Sequence, residues 1–398
     1  MKKYAFSVVS AAVVITVAIT ACTSSDHAPA QNAEEANAAK RDASMHALAR
    51  TISELLPLVA SRSKFADLQN KTKIETETAA LRDLAHSIAD TAAPGSDPGA
   101  KMVQEFFADD ISRALESYRS GQTEYARHVL KDTTNYCIQC HTYSDATKTG
   151  ARINLDLTGS ELSPIEKAEF YAATRQNDRA LEAYTKALGD PEVAEKNPFE
   201  WELAARTALA IAISRDLNPK SALKLVNEIS KNPKVPKASV PTVKAWKKSI
   251  ADWSRSAKRP KSSNQRLETA QSLLKTAQSR QEFPLDHTQD ILYFRASSLL
   301  HDTLKDEKIP KTMRADALYW SGIAADATRD MSFWTLHETY FEQCIRLVPG
   351  TPRAKECFAK IQDSVVLGYS GSAGTNIPPA QQKRLDNLAI TAGVPKAP

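Results

Sequence analysis

Cys137, Cys140 and His141 are the residues of this chain whose types and spacing most directly imply chemistry. Two thiols three positions apart, followed at once by a histidine, form the attachment pattern of c-type haem. The thiols bond covalently to the porphyrin, and the histidine binds the iron from its proximal side. The spacing therefore predicts one covalently bound haem c, held by Cys137, Cys140 and His141.

Two other sites use closely spaced cysteines, and neither suits this sequence. A zinc site needs more ligands, and apart from Cys22, which is expected to carry a lipid, the other thiols of the mature chain, Cys344 and Cys357, lie roughly 200 residues away. A dithiol redox motif opens a helix in a strand–helix–strand setting, which the sequence lacks. The sequence also has no catalytic triad, paired-carboxylate site or nucleotide motif, so an electron carrier is expected rather than an enzyme.

Four amphipathic stretches in residues 40–150 must position the motif. Apolar side chains recur at helical spacing in each of them. The inner faces are Met45, Leu48, Ala49, Ile52, Leu55 and Val59; Ile74, Thr78, Leu81, Ala85 and Ile88; Val103, Phe106, Phe107, Ile111, Ala114 and Tyr118; and Ala126, Val129, Leu130, Thr133, Tyr136, Cys137 and Cys140. Short connections between such stretches favour an antiparallel four-helix bundle, with the motif on its fourth helix.

This layout resembles the cytochrome c-prime and c-556 class of proteins. The resemblance rests on Gly121–Ala126, which leads to Asn135–His141 near the end of the fourth helix, and it covers about 100 residues. It implies a haem-binding helical bundle over residues 40–150. The segment Thr142–Asp145 keeps only the aromatic residue of the acidic–aromatic–arginine step that usually follows the histidine in that class.

The ligand on the other side of the iron is Met45 in our interpretation, because the c-556 type supplies a methionine from the first helix. A thioether there would raise the reduction potential and suit electron transfer. Met102 is the second candidate. Three histidines, His46, His86 and His128, are expected on the surface. We predict a six-coordinate, low-spin iron; a five-coordinate site, as in c-prime, would bind small gases instead.

The N-terminus predicts export. Lys2 and Lys3 precede an apolar run, Ala5–Ala21, which is short for a transmembrane helix and ends in small residues, as a signal peptide does. Bacterial c-type cytochromes acquire their haem outside the inner membrane, so export and the haem motif agree.

The end of that run, Ile19–Cys22, resembles the lipobox of bacterial lipoproteins. The resemblance implies a signal peptide over residues 1–21 and a lipid on Cys22; an uncleaved anchor helix or an ordinary signal peptide is the alternative. Because Thr23 rather than aspartate follows, attachment to the outer membrane, facing the periplasm, is implied. Residues 22–39 show no apolar periodicity and are expected to form a flexible tether. Nucleic acid is not an expected partner in that compartment.

Residues 160–367 contain helix–turn–helix units whose small and aromatic positions resemble the tetratricopeptide repeat (TPR). The matching positions are Ala168, Tyr171, Ala180, Tyr184 and Ala187; Trp201, Ala205, Ala208, Leu209, Ala222, Val226 and Ile229; and Leu318–Gly322, Tyr340, Phe341 and Cys344. The resemblance implies an all-α protein in which a TPR-like α-solenoid follows the bundle and docks a protein partner. An irregular helical domain is the alternative.

Cys344 and Cys357 flank the turn at Pro349–Pro352, and antiparallel helices around it would bring them together. A disulfide is therefore predicted in an oxidising compartment, with two buried thiols as the alternative. The glycine-rich loop that opens residues 368–398 lacks the features of a phosphate loop and is expected to lead into a final helix from Ala380. Basic stretches near Lys231–Lys237 and Arg255–Arg266 suit either a solvated loop or contact with an acidic partner or lipid head groups.

Together these features predict a lipid-anchored, periplasm-facing mono-haem cytochrome that passes electrons to a redox partner. A haem-based gas or redox sensor and an assembly scaffold are the alternatives.

Overall fold

We describe the fold from a computed structural model. It describes residues 28–90, 98–133, 136, 157, 160–174, 176–256, 260–284, 286–331 and 335–394. Nearly all of these residues are helical, as the sequence predicts, and the described strands are two residues long.

Five helices pack together in the N-terminal part. They are α1 (Ala28–Val59), α2 (Arg62–Ala66), α3 (Lys71–Asp90), α4 (Pro98–Arg119) and α5 (Thr123–Asp132). The long helices run antiparallel in succession. Lys73 Nζ on α3 lies 2.6 Å from Glu54 Oε2 on α1, and Ser44 Oγ meets Ser87 Oγ at 3.3 Å farther along the same pair.

The core of this bundle consists largely of the residues that helical periodicity predicts. Buried members from the four long helices are Leu48, Ile52, Leu55, Val59, Ile74, Leu81, Ala85, Ile88, Val103, Phe107, Ile111, Ala114, Tyr118, Ala126, Val129 and Leu130. Phe106 is an exception, since its side chain is 38 % exposed. Adjacent residues on a helix are about 100° apart, so Phe106 and Phe107 cannot both face the same core.

The structure differs from the sequence prediction at the start of α1. We expected residues 22–39 to form a flexible tether, but the helix begins at Ala28. The segment from Ala28 to Ala39 is rich in alanine and glutamate, which favour helix even where no apolar stripe exists. The lipidation candidate Cys22 and the predicted signal peptide lie outside the described residues.

The chain returns to the bundle before the next helix begins. Leu157 and Leu162 are buried in the bundle core, and so is Phe170 from the following helix. The first C-terminal helices therefore pack directly on the N-terminal bundle.

The C-terminal part consists of helices that pack mainly on their neighbours in sequence. They are α6 (Pro164–Ala173), α7 (Asn177–Gly189), α8 (Pro191–Lys196), α9 (Pro198–Asp216), α10 (Pro219–Ile229), α11 (Val240–Ser256), α12 (Ser263–Arg280), α13 (Asp290–Leu304), α14 (Lys311–Ala327), α15 (Leu336–Leu347), α16 (Pro352–Gly368) and α17 (Pro379–Ala392). Short 3-10 turns cover Leu68–Asn70, Lys237–Ser239, His287–Gln289 and Arg329–Met331.

Local sequence signals define where these helices begin. Ser163 and Ser262 each form a capping box with the side chain three residues later, which satisfies free backbone amides of the first turn. Proline occupies the first turn of several others, where its missing N–H costs nothing. These signals explain why the boundaries of the helical units follow the sequence pattern closely.

Two apolar cores run through the C-terminal helices. The first includes Trp201, Trp246 and Trp253, all of which are buried. The second contains Gly322 and Phe341 at the crossing of α14 and α15. A Cβ atom on Gly322 would lie 2.4 Å from the ring of Phe341, so only glycine permits this close approach. Helix α15 also contacts α4 of the bundle.

A disulfide joins α15 to α16. The sulfur atoms of Cys344 and Cys357 lie 2.10 Å apart, and their Cα atoms are 6.4 Å apart. This is the pairing that the intervening turn predicts. Helix α17 covers the same turn, because the amide of Gly350 donates to the carbonyl of Thr391 at 3.0 Å. A short hairpin, Ser370–Gly371 paired with Gly374–Thr375, connects α16 to α17.

Replacing both Cys344 and Cys357 by alanine is expected to lower the free energy of unfolding by about 3 kcal/mol, because a short covalent loop no longer restricts the unfolded chain. Urea unfolding of the oxidised wild type, the reduced wild type and the double variant measures this. The reduced wild type should have the same free energy of unfolding as the variant, and adding reductant should not change the value for the variant. Labelling of both thiols in denatured, unreduced wild type would contradict the disulfide.

Candidate functional site

The predicted haem-attachment residues Cys137, Cys140 and His141 lie outside the described residues. The chain that leads into them is described. Helix α5 ends at Asp132, so the predicted fourth helix is interrupted before the motif. Thr133 is the C-cap residue of α5: its amide donates to the carbonyl of Val129, and its hydroxyl donates to the carbonyl of Leu130 at 2.6 Å.

Tyr136 immediately precedes the motif and is fixed on α4. Its hydroxyl hydrogen-bonds to a carboxylate oxygen of Asp110, and its ring lies 5.9 Å from that of Phe107. Burial raises the pKa of Tyr136 above its ordinary value.

Met45 can be placed relative to Tyr136 through contacts between the long helices. Its neighbour Ser44 faces Ser87 of α3 at 3.3 Å, and His86, beside Ser87, faces Ser112 of α4 at 3.3 Å. Ser112 is five residues, or about 8 Å of helix, from Phe107 under the Tyr136 ring. The half-buried Met45 side chain packs on the bundle core. The predicted distal ligand and Tyr136 therefore belong to one helical bundle.

The three histidines considered as iron ligands lie on the surface, as the sequence predicts. His46, His86 and His128 are all exposed. His128 Nε2 instead lies 3.2 Å from Asp132 on the surface of α5. The side chain of Met102 lies outside the described residues. Of the candidates whose side chains are described, Met45 is the one that contacts the bundle core.

A small apolar gap of about 20 Å³ lies inside the bundle. Its lining is Ile52, Leu55, Leu56, Val59, Leu81, Phe107, Leu130, Thr133, Ala173 and Thr174. The gap is about the size of one water molecule, so it cannot enclose a porphyrin. Met45 offers a thioether that suits haem iron, and the internal gap does not contribute to holding such a group.

Charged residues join α5 to the C-terminal helices. Lys131 pairs with Glu166 of α6. Burial, together with the negative charges of Glu200 and Glu166, raises the pKa of Glu169 to about 7. Lys131 and Glu166 therefore hold α5 against α6, and burial favours the neutral form of the nearby Glu169 carboxyl.

Glu161 fixes the return of the chain after the motif. Its carboxylate accepts hydrogen bonds from the hydroxyls of Ser63 at 2.6 Å and Ser61 at 2.9 Å, and from the amide of Arg62 at 2.7 Å. The hydrogen bonds from Ser63 and Ser61 lower the pKa of Glu161 to about 2. The ionised side chain thus caps the start of α2 and holds both ends of the motif segment on one body.

Glu161→Gln is expected to lower Tm at pH 7, because a neutral amide accepts these bonds less strongly. A lowered carboxylate pKa stabilises the fold above the ordinary value of 4.5, and that contribution disappears as the pH falls toward 2. The Tm difference from wild type should therefore shrink between pH 4.5 and pH 2. Glu192→Gln, in an exposed pair with Lys196, is the matched control; a constant difference for Glu161→Gln would contradict the mechanism.

Two polar clusters in the C-terminal helices were missed by the sequence analysis. In the first, buried Arg206 of α9 bonds Asp290 and Asp330, with His287 nearby. An arginine among alanines on an otherwise apolar helix was the available signal. Its partners, 84 and 124 residues away, could not be identified from spacing.

The second cluster contains a serine and a histidine but is not a nucleophilic site. Ser364 Oγ lies 2.7 Å from His337 Nε2 and also donates to Glu338 at 2.9 Å. Asp326 approaches the same ring nitrogen, at 3.8 Å. A catalytic carboxylate would bond the opposite nitrogen of the histidine. The cluster therefore joins α14, α15 and α16 rather than activating the serine.

Within the described residues, no group of three His, Cys, Asp or Glu side chains converges to hold a metal ion. Nor does any described helix have the length and apolar character needed to cross a membrane. Comparison with family models, curated proteins and solved structures finds no match.

Proposed function

We propose that this chain is a lipid-anchored, periplasm-facing c-type cytochrome that carries electrons. The single observation behind the proposal is the Cys137–His141 motif, which follows the buried residue Tyr136 directly in sequence. Cys137 and Cys140 would attach the haem, His141 would bind the iron from one side, and Met45 would supply the opposite ligand. The bound group supplies a reversible one-electron change.

The protein residues perform three tasks in this proposal. Tyr136, held by Asp110 and Phe107, fixes where the motif segment leaves the bundle. The apolar bundle core on which Met45 packs excludes water, which stabilises the less charged state and favours a higher reduction potential. Glu161 holds the far end of the segment, so that both of its ends have fixed positions.

The C-terminal helices are proposed to form a TPR-like solenoid for docking a redox partner. Support comes from the order of packing, in which pairs such as α6 with α7, α12 with α13 and α14 with α15 stack in sequence. The small residues at the predicted repeat positions, including Ala168, Ala180 and Ala205, are buried at the helix contacts. Export and the lipid on Cys22 are supported by the sequence of residues 1–22 alone.

A pyridine haemochrome assay tests the proposal on protein made with the cytochrome c maturation system. One haem per chain, retained after denaturation and acid–acetone extraction, is expected. Protein that folds, yet lacks covalent haem under these conditions, would overturn it.

Met45→Ala is expected to convert a low-spin six-coordinate spectrum to a high-spin one and to lower the midpoint potential, because the thioether ligand is lost. Absorption spectra of both oxidation states and a potential titration measure this. Met313→Ala, which removes a partly buried methionine of the second C-terminal core, is the matched control. A high-spin ferrous wild type that binds carbon monoxide readily would contradict ligation by Met45 and would favour the gas-sensor alternative.

A further inference from the structure

The segment from Lys231 to Lys261 is strongly basic. It contains ten lysine or arginine residues and one acidic residue, Asp252, whereas the whole chain has a net charge of only +5. The rest of the chain is therefore net negative. A charge concentrated in this way produces a local positive potential that the average composition hides.

Four lysines of this segment lie together on the surface. Lys237 ends the connection that precedes α11, and Lys244, Lys247 and Lys248 follow on the helix itself, all exposed. Lys244 and Lys248 are one turn apart on the same side. Within the described part of the chain, no carboxylate lies within ion-pair distance of these four ammonium groups.

Neighbouring lysines of the segment are compensated. Lys231 pairs with Glu228 at 2.8 Å, and Lys234 pairs with Glu195 at 3.2 Å. The contrast shows that the four lysines are not simply part of a uniformly charged loop. Their charge is left available to an external anion.

An exposed aromatic side chain lies at the edge of these lysines. Phe199, near the start of α9, is 88 % exposed, and Leu203, one turn later, is 42 % exposed. Glu202, between them, accepts a hydrogen bond from Ser239, which is two residues from Lys237. A large apolar side chain held in water next to uncompensated lysines is the composition of an interfacial membrane contact.

We propose that Lys237, Lys244, Lys247, Lys248 and Phe199 form a surface that binds an anionic phospholipid membrane. Lysine ammonium groups attract the acidic head groups, and the ring of Phe199 enters the boundary between head groups and acyl chains. Long lysine side chains meet mobile head groups without needing a matched partner surface. An acidic protein would have to place a carboxylate opposite each lysine, and it offers no apolar layer for Phe199.

This surface goes beyond the proposed electron-transfer function and does not depend on haem. Any lipid on Cys22 would tether the chain by its N-terminus only. A second contact through α9 and α11 would fix how the C-terminal helices face the membrane, and therefore which side of the bundle remains open to a partner.

The test uses the full mature chain with Cys22→Ser, so that no lipid contributes to binding. Co-sedimentation is measured with vesicles of pure phosphatidylcholine and with vesicles containing phosphatidylglycerol. Binding is expected only to the anionic vesicles and should weaken as salt rises. Replacing all four lysines by glutamine should reduce affinity by about 600-fold, since each lysine near an anionic surface contributes roughly fivefold and the four contributions multiply. Phe199→Ala should cost about tenfold.

The matched control replaces four exposed lysines elsewhere, Lys305, Lys308, Lys311 and Lys383, by glutamine. It makes the same change in net charge and should retain most of the binding. Equal loss in both quadruple variants, or no binding to anionic vesicles, would overturn the proposal. Binding to poly-glutamate that exceeds binding to vesicles would also overturn it, in favour of an acidic protein partner. A haemochrome result of either sign leaves these outcomes unchanged, so the two proposals fail separately.

Discussion

Replacing Cys137 and Cys140 together by serine is expected to abolish covalently bound haem. A serine hydroxyl is far less nucleophilic than a thiol and does not add to the porphyrin vinyl groups during cytochrome c maturation. The loss should be complete rather than partial, because no other thiol of the mature chain lies near the motif in sequence. Haem staining of a denaturing gel and intact-mass measurement report the result directly.

The double variant should still fold in its C-terminal part. The described core of the bundle is formed without the motif residues, and the C-terminal helices have two cores of their own. Its circular dichroism should therefore remain strongly helical. The bundle should melt at a lower temperature, because the haem that Met45 is proposed to bind is missing. Collapse of the whole helical signal would show that haem organises far more of the chain than we propose.

The Cys344→Ala and Cys357→Ala double variant is the matched control. It removes two thiols from the same chain and costs stability, yet it should keep full haem staining. Persistent covalent haem in the Cys137→Ser and Cys140→Ser variant would contradict our assignment of the attachment site. Loss of staining in the control would instead show that maturation depends on the disulfide.

Much of the fold could be predicted from sequence because its determinants are local. The 3.6-residue period placed Ile74, Leu81 and Ile111 in the core, and all three are buried. The disulfide followed from a short turn, which limits how far apart Cys344 and Cys357 can lie. In each case the relevant residues are separated by a few turns of helix, so spacing alone specifies the contact.

The sequence predictions that differ from the structure also have physical explanations. Phe106 was assigned to the core, but Phe107 takes that position and α15 contacts α4 from more than 200 residues away. The fourth helix was predicted to continue through the motif, but α5 ends at Asp132. Periodicity reports the polarity of a face. It does not report which distant helix covers that face, or at which residue the helix ends.

The buried network around Arg206 carries the second large prediction. Arg206 and Asp290 are 2 % and 1 % exposed, and their atoms Nε and Oδ2 lie 2.6 Å apart. Burial opposes ionisation of Asp330, but hydrogen bonds from Arg206 outweigh it and lower the pKa of Asp330 below its ordinary value. One guanidinium thus neutralises carboxylates from two other segments and joins α9 to α13 and to the Arg329–Met331 turn.

Arg206→Met is expected to lower the free energy of unfolding by about 3–5 kcal/mol, because it leaves the carboxylate of Asp290 buried without its counter-charge. Urea unfolding at pH 7 measures the loss. Adding Asp290→Asn to this variant should recover part of it, since the uncompensated charge is then gone. The loss should also shrink as the solution is made acidic, because Arg206 holds the pKa of Asp330 below its ordinary value and that contribution disappears once Asp330 is protonated.

Arg62→Met is the matched control, because Arg62 also pairs with a carboxylate at 3.0 Å but is 69 % exposed. Exposed pairs contribute at most about 1 kcal/mol, so this variant should be nearly neutral. Equal effects of the two substitutions would mean that the Arg206 cluster is hydrated in solution. A large loss of stability in Arg206→Met alone, partly recovered by Asp290→Asn, would show that the buried Arg206 cluster holds together helices that are more than 80 residues apart in sequence.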